Sequence, residues 1–191
     1  MELRENIIQC AIKCFEKDGL HFTMNDIARD MHIAKKTIYG LFETKEDLLC
    51  AMLDTGFAKI HADKKRILQS DLAIADKLEK VMIAMPDQYS VLDFRKLSEL
   101  EGKYPAAHAL LIRHLENDWE PVNALIEEGI RQGIIQNVSI PLFRSIFTAS
   151  IEAFLFGDVL EKETISYAEA LDELMRILMN GIRKDTHEKN Q

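Results

Sequence analysis

The chain has 191 residues, 47% of them hydrophobic and 29% charged, with a formal net charge of −8. These are the proportions of an ordinary globular chain, with room for one large domain or for a small and a medium one. No apolar run approaches the roughly 20 residues of a membrane span, and the amphipathic, acid-bearing opening MELRENIIQC does not read as a signal peptide, so the expectation is a cytoplasmic protein with no membrane partner. Four prolines, eight glycines and no sustained strand-like alternation point to an all-α fold.

Taken in order, residues 3–18 read as a first helix with Ile8, Ala11, Ile12 and Phe15 as its inward stripe and Asp18-Gly19 as its stop. Cys10 and Cys14 lie four apart on it and Cys50 on a later helix. Without a short C-x-x-C spacing, all three read as small buried hydrophobes, and no metal site is expected. Thr23-x-x-Asp26 starts a second helix with Ile27, Ala28 and Met31 on one face. Met31-His32-Ile33-Ala34 is a turn. Lys35 to Phe42 is a third helix that points Ile38 and Phe42 inward and leaves Lys35, Lys36, Thr37 and Tyr39 outside. Two helices joined by a tight turn, the second opening with cations, make the shape that enters a DNA major groove.

Thr44-x-x-Asp47 opens a long helix from Lys45 to about Ser70, with Leu49, Met52, Leu53, Phe57 and Ile60 on its inner side. Its run Asp63-Lys64-Lys65-Arg66 reads as a solvated face. Ser70-Asp71 opens a helix carrying Leu72, Ala75, Leu78 and Met82, closed near Pro86. Another runs from about Tyr89 to Glu101 and stops at Gly102. Tyr104-Pro105 precedes a stretch reaching Gly133, which Pro121 kinks or splits. Ser139-x-Pro141 and Ser166-x-x-Glu169 start the last two helices, and the residues after Arg183 are polar. Those two helices are apolar on more than one face, and Phe143, Phe147, Ile151, Phe154, Leu171, Leu174, Met175 and Leu178 are the expected contacts of a two-fold dimer.

The residues from Ile8 to Leu49 resemble the TetR (tetracycline-repressor) family of transcriptional regulators. The resemblance rests on Ile8, Ala11, Phe15 and Gly19, then Thr23, Asp26-Ile27-Ala28, Ile33, Lys35, Thr37, Ile38-Tyr39, Phe42, Lys45-Glu46 and Leu48-Leu49. It covers about a quarter of the chain; the remainder matches loosely, in helix count and in the apolar final pair. It implies a homodimeric repressor that binds palindromic double-stranded operator DNA through residues 1–49 and is released by a small-molecule effector. Residues 50–191 would form the helical effector-binding and dimerisation bundle.

Carried over residue by residue, Lys35, Lys36, Thr37 and Gly40 fall on the groove-facing side, and Tyr39 falls where the family uses a tyrosine hydroxyl on phosphate. Thr23, Thr44 and Lys45 fall at helix starts suited to phosphate. Three residues depart from the pattern: His32 stands where the turn usually has glycine, Ala34 where serine caps the reading helix, and Leu41 where an aromatic is common. The implied effector is apolar or aromatic, with wall candidates Met82, Phe94, Tyr104, His108, Trp119, Phe147 and Glu152, and no cofactor is expected.

The acidic balance runs against DNA binding: the first 47 residues hold seven cations against nine acids. Docking depends on where cations sit, and Lys35, Lys36 and Lys45 cluster at two helix starts. The alternative is a helical adaptor or ligand-binding protein that has lost DNA reading. An enzyme is not expected: no Glu-x-x-His pair, phosphate loop or nucleophile elbow is present.

Overall fold

The computed structural model describes residues 2–86 and 94–184. Helices account for nearly all of its regular structure, in agreement with the all-α expectation. Among the described residues the only strand-like feature is an isolated bridge between Ile135 and Arg183. Two compact units emerge, Met1–Ala58 with Val91–Leu115, and Lys59–Ser90 with Glu116–Gln191. The first therefore exceeds the expected residues 1–49, because it continues along the long helix and takes in a later stretch of chain.

In the first unit, α1 (Glu2–Asp18) buries Ile7, Ile8, Ala11, Cys14 and Phe15 and packs on α2 (Met24–Asp30), which in turn packs on α3 (Lys35–Tyr39). Gly19 ends α1 at φ +59, and a short 3-10 turn, Gly19–His21, leads to α2. A reciprocal capping box starts α2: the Asp26 amide donates to Thr23 Oγ1 at 3.2 Å, and the Thr23 amide donates to Asp26 Oδ2 at 2.8 Å. At its end His32 takes φ 55, the Ile33 amide reaches back to Ala28 O and the His32 amide to Arg29 O. That is a Schellman stop built on a histidine. Helix α3 is shorter than its apolar spacing implies. It ends at Tyr39, and the Leu41 and Phe42 amides both close on Ile38 O.

Helix α4 (Lys45–Leu68) runs without a break from the first unit into the second. Tyr89 and Leu92 of the helix expected there lie outside the described residues. Its remainder is a 3-10 segment, Phe94–Glu99, followed by α6 (Leu100–Lys103), which contains Gly102 rather than stopping at it. Helix α7 (Pro105–Glu116) receives its N-terminal cap from α4: Ala106 and Ala107 amides donate to Glu46 Oε1 at 2.6 and 3.3 Å.

The second unit holds α5 (Ile74–Met82), which starts three residues beyond the Ser70-Asp71 signal, and α8 (Glu120–Arg131), α9 (Ile140–Phe156), α10 (Val159–Glu163) and α11 (Tyr167–Ile182). As expected, Pro121 marks a split, and it stands in the first turn of α8, where its missing N–H costs nothing. The short α10 carries too little periodicity to be read from sequence. Leu78, Val81, Trp119, Ile126, Phe143 and Met175 form the centre of the core. Ile135 seats its side chain against Gly129, where an added Cβ would lie 2.5 Å from Ile135 Cδ1.

Ser166 and Glu169 form the cap of α11 that their spacing predicts. The hydroxyl accepts from the Glu169 amide at 3.2 Å, and Glu169 Oε2 receives the Ser166 amide at 2.8 Å and its hydroxyl at 2.7 Å. The backbone N–H first and the hydroxyl second hold the Glu169 carboxyl below its ordinary value of 4.5. Its contribution is therefore present above that value and is lost as pH falls through the lower, folded one. Ser166→Ala is expected to cost about 1 kcal/mol in urea unfolding at neutral pH. It should also move the NMR-detected Glu169 titration part of the way back to that of a free glutamate.

Candidate nucleic-acid interface

Helix α3 is held in place by one side chain. Ile38 is fully buried, while Lys35, Lys36, Thr37, Tyr39 and Gly40 are all exposed. Ala34 supplies no side-chain cap to the helix, so the Lys35 and Lys36 amides are left without a helical partner, where an anion can use them, while the Thr37 amide donates to Ala34 O at 2.9 Å. Tyr39 is 40% exposed, and Lys35 Nζ lies 5.4 Å from its ring centre, a cation–π contact that keeps the phenol at the surface. A Cβ added at Gly40 would meet only Lys36 O and Thr37 O, both at 3.5 Å. Packing does not require glycine there.

The flanking residues divide by what their polar atoms already do. The Thr23 hydroxyl is 2.7 Å from Asp26 Oδ2, and Asp26, whose carboxyl this hydroxyl holds below its usual range, also pairs with Arg29 at 2.8 Å. Thr44 forms the matching box with Asp47, accepting from its amide at 3.1 Å and donating its own amide at 2.9 Å. Both threonines are exposed caps.

Lys45 is a correction to its expected place among free phosphate-binding cations. Its ammonium donates to the carbonyls of Leu20 and Phe22 and lies over the Phe22 ring at 4.3 Å and the Tyr104 ring at 5.4 Å. Its sequence position places it at a helix start, but only folding brings those two carbonyls to it. Conversely, Arg4 stands 5.1 Å from the centre of the Phe42 ring, just beyond α3. No sequence signal marks it, since the two are far apart in the chain.

The description "Bacterial regulatory proteins, tetR family" matches residues 7–52, the span of these capped and exposed elements. An uncharacterised HTH-type transcriptional regulator of Bacillus subtilis (strain 168), YvaF, is 25% identical over 95% of this chain and 96% of its own. Over residues 7–52 the chain is similar to TetR-family regulators. Among solved structures, the same fold occurs in a TetR transcription regulator from Haloarcula marismortui ATCC 43049 (TM-score 0.72, 18% identity, 96% of this chain and 99% of that one). It also occurs in the transcriptional regulator FadR from Bacillus subtilis, solved in complex with stearoyl-CoA (TM-score 0.66, 19% identity, 94% and 99%). No helix among the described residues is long and apolar enough to cross a membrane.

The expected effector-wall residues fall in different units. Phe94, Tyr104 and His108 belong to the first, and Met82, Trp119, Phe147 and Glu152 to the second. Met82 and Trp119 are buried and Phe147 packs against the same core, edge-on to Trp119 with ring centres 5.7 Å apart, whereas Glu152 is exposed. Sequence reasoning passed over Asn123, whose Oδ1 is buried without a hydrogen-bond partner.

The expected dimer contacts divide by their burial within the single chain. Phe143, Ile151, Leu171, Leu174 and Met175 are buried inside the single chain, and Phe147, Phe154 and Leu178 are half-buried. The apolar side chains that α9 and α11 leave in solvent are Leu142 at 60%, Ile177 at 56% and Ile146 at 45% exposure. Periodicity measures how wide an apolar face is, not which part of it the chain's own core takes up.

Replacing Lys45 by methionine should leave two carbonyls short of their donor and lower the stability of the protein by about 2 kcal/mol. Lys36→Ala, on the open face, is expected to stay within about 0.5 kcal/mol of the parent. Parallel urea denaturation curves measure the difference.

Proposed function

We propose that this chain is a homodimeric transcriptional repressor that places α3 in the major groove of a palindromic operator and is released by a small apolar ligand. The observation that carries the reading is the exposure of Lys35, Lys36, Thr37, Tyr39 and Gly40 on a helix anchored by Ile38 alone. Lysine ammonium groups and the open helix start favour phosphate, and the Tyr39 hydroxyl is a donor of the right reach. Bare backbone at Gly40, where packing asks for none, allows close approach to a base edge. Arg4 adds a cation beside the segment, and Thr23 and Thr44 offer amide-rich helix starts. Lys45 contributes by holding the loop before α2, through carbonyls rather than through phosphate.

Two readers must lie about 34–36 Å apart to enter successive major grooves, and the exposed Leu142, Ile146 and Ile177 are the apolar surface that a second copy would cover. With a duplex from the region upstream of the chain's own gene, fluorescence anisotropy should show affinity falling steeply with salt. Lys36→Ala should lower that slope by about 1, and Tyr39→Phe should weaken binding about fivefold, the equivalent of one lost hydrogen bond. Ile177→Glu should sediment as a folded monomer with greatly reduced affinity. Absence of binding to the duplex even at low salt would favour the adaptor reading, which the acidic balance of the chain supports.

For the effector, the support is the edge-on Trp119–Phe147 pair and the unpaired, buried Asn123 Oδ1 one helical turn on from Trp119, together with the stearoyl-CoA held by a protein of the same fold. A ligand with an apolar chain and one hydrogen-bond donor suits such surroundings. Release requires that the ligand prefer the form that does not fit DNA, with α4 carrying the change, and its effect cannot exceed that preference. Calorimetric titration of stearoyl-CoA should give weaker binding when operator DNA is present than when it is absent. Equal affinities would remove the release mechanism, and no heat of binding at all would remove this ligand class.

A further inference from the structure

Cys10 and Cys14 stand on successive turns of α1, and folding places the Asp30 carboxylate, from the end of α2, beside them. One ligand atom from each of the three lies within 4.8 Å of the other two, and Cys14 Sγ is 3.8 Å from Asp30 Oδ2. The two oxygens of Asp30 have different neighbours: Oδ1 is 3.5 Å from Arg29 Nε, and Oδ2 faces the sulfur. A carboxylate fixed through one oxygen and presented through the other is the arrangement that orients metal ligands. Cys14 is buried, Cys10 is half-buried and Asp30 is exposed, so the group is open to solvent on the carboxylate side.

We infer that Cys10, Cys14 and Asp30 form a binding site for a divalent metal ion of the zinc class, which ties α1 to the last turn of α2. Two sulfurs and one carboxylate oxygen select a borderline-soft ion and leave a fourth, tetrahedral position to water. Ligand bonds of about 2.0–2.3 Å set donor separations of about 3.3–3.8 Å. The Cys14–Asp30 pair already meets that spacing, and the farthest pair must close by about 1 Å.

The charge around the group suits a cation. Folding sets the Asp30 carboxylate beside the two thiols, the negative group that a cation needs. Arg29 pairs with the far side of Asp30 and with Asp26. Binding exchanges the two thiol protons for the ion: two S–H bonds break, two metal–sulfur bonds form, and two protons pass to solvent with no change of oxidation state. The last turn of α2 leads directly into the His32 turn and the reading helix. An ion here therefore stabilises the unit that carries the reader, through its preference for the folded state.

The test is a cobalt(II) titration of the full-length, reduced and metal-stripped protein, read by absorption and followed by zinc displacement. The expected result is one cobalt per chain, with a thiolate-to-cobalt charge-transfer band and tetrahedral visible bands that zinc abolishes. Cys10→Ser should lose the band, Asp30→Asn should bind at least tenfold more weakly, and Cys50→Ala, whose thiol lies outside the group, should behave as the parent. Circular dichroism confirms that each variant is folded, and added zinc should raise the melting temperature of the parent and of Cys50→Ala but not of Cys10→Ser. Absence of the charge-transfer band in the parent would overturn the site, as would its survival in Cys10→Ser or its loss in Cys50→Ala. None of these readouts involves DNA, so the result is independent of the proposed regulatory role.

Discussion

Two consecutive residues at the start of α4 hold the first unit together, with opposite charge and opposite partners. The Lys45 ammonium takes the carbonyls of Leu20 and Phe22, which belong to the linker between α1 and α2. The Glu46 carboxylate takes the amides of Ala106 and Ala107 at the start of α7. Each side chain satisfies backbone groups that a helix end or a loop would otherwise leave open. Because both sit in the first turn of one 24-residue helix, the loop before α2 and the helix that follows much later in the chain are referred to the same rigid rod. Further along, α4 meets α7 again where His114 is 2.9 Å from Asp54 and stacks on Phe57 with ring centres 4.2 Å apart.

On this support α3 needs little of its own. It has five residues, no side-chain cap and a single fully buried anchor, so in isolation it would not form. The capping boxes before α2 and α4 and the left-handed stop at His32 define where the chain enters and leaves it. The consequence is a segment whose polar residues are free of structural duty. That is also why a chain with a net charge of −8 can still present a cationic tip: the acids Asp26 and Asp47 are occupied as caps, while Lys35 and Lys36 project from the exposed face.

Much of this was legible in the amino-acid order, because it depends on near neighbours. The Thr23–Asp26, Thr44–Asp47 and Ser166–Glu169 caps, the split at Pro121 and the inward position of Ile38 and Phe42 follow from spacings of three or four residues, and all appear where those spacings place them. The left-handed His32 stands where the family resemblance implies a glycine. Departures occur where local periodicity is weak or absent. Helix α3 stops short, α5 starts late, and α10 has only five residues in which to show a pattern.

The tertiary structure alone decided which atoms meet across long stretches of chain. It turned Lys45 from a free cation into a clamp and brought Arg4 to Phe42. It buried Phe143, Leu171 and Met175 in the chain's own core, and left Leu142, Ile146 and Ile177 outside. It also added Asp30 to a pair of cysteines whose spacing by itself reads as apolar filler. The physical reason is common to all of these. Helical periodicity states which side of a helix is apolar and where its ends are satisfied, because those depend on residues one turn apart. Whether a given charge, thiol or apolar side chain finds a partner or water depends on residues brought up by the fold, and no local pattern records them.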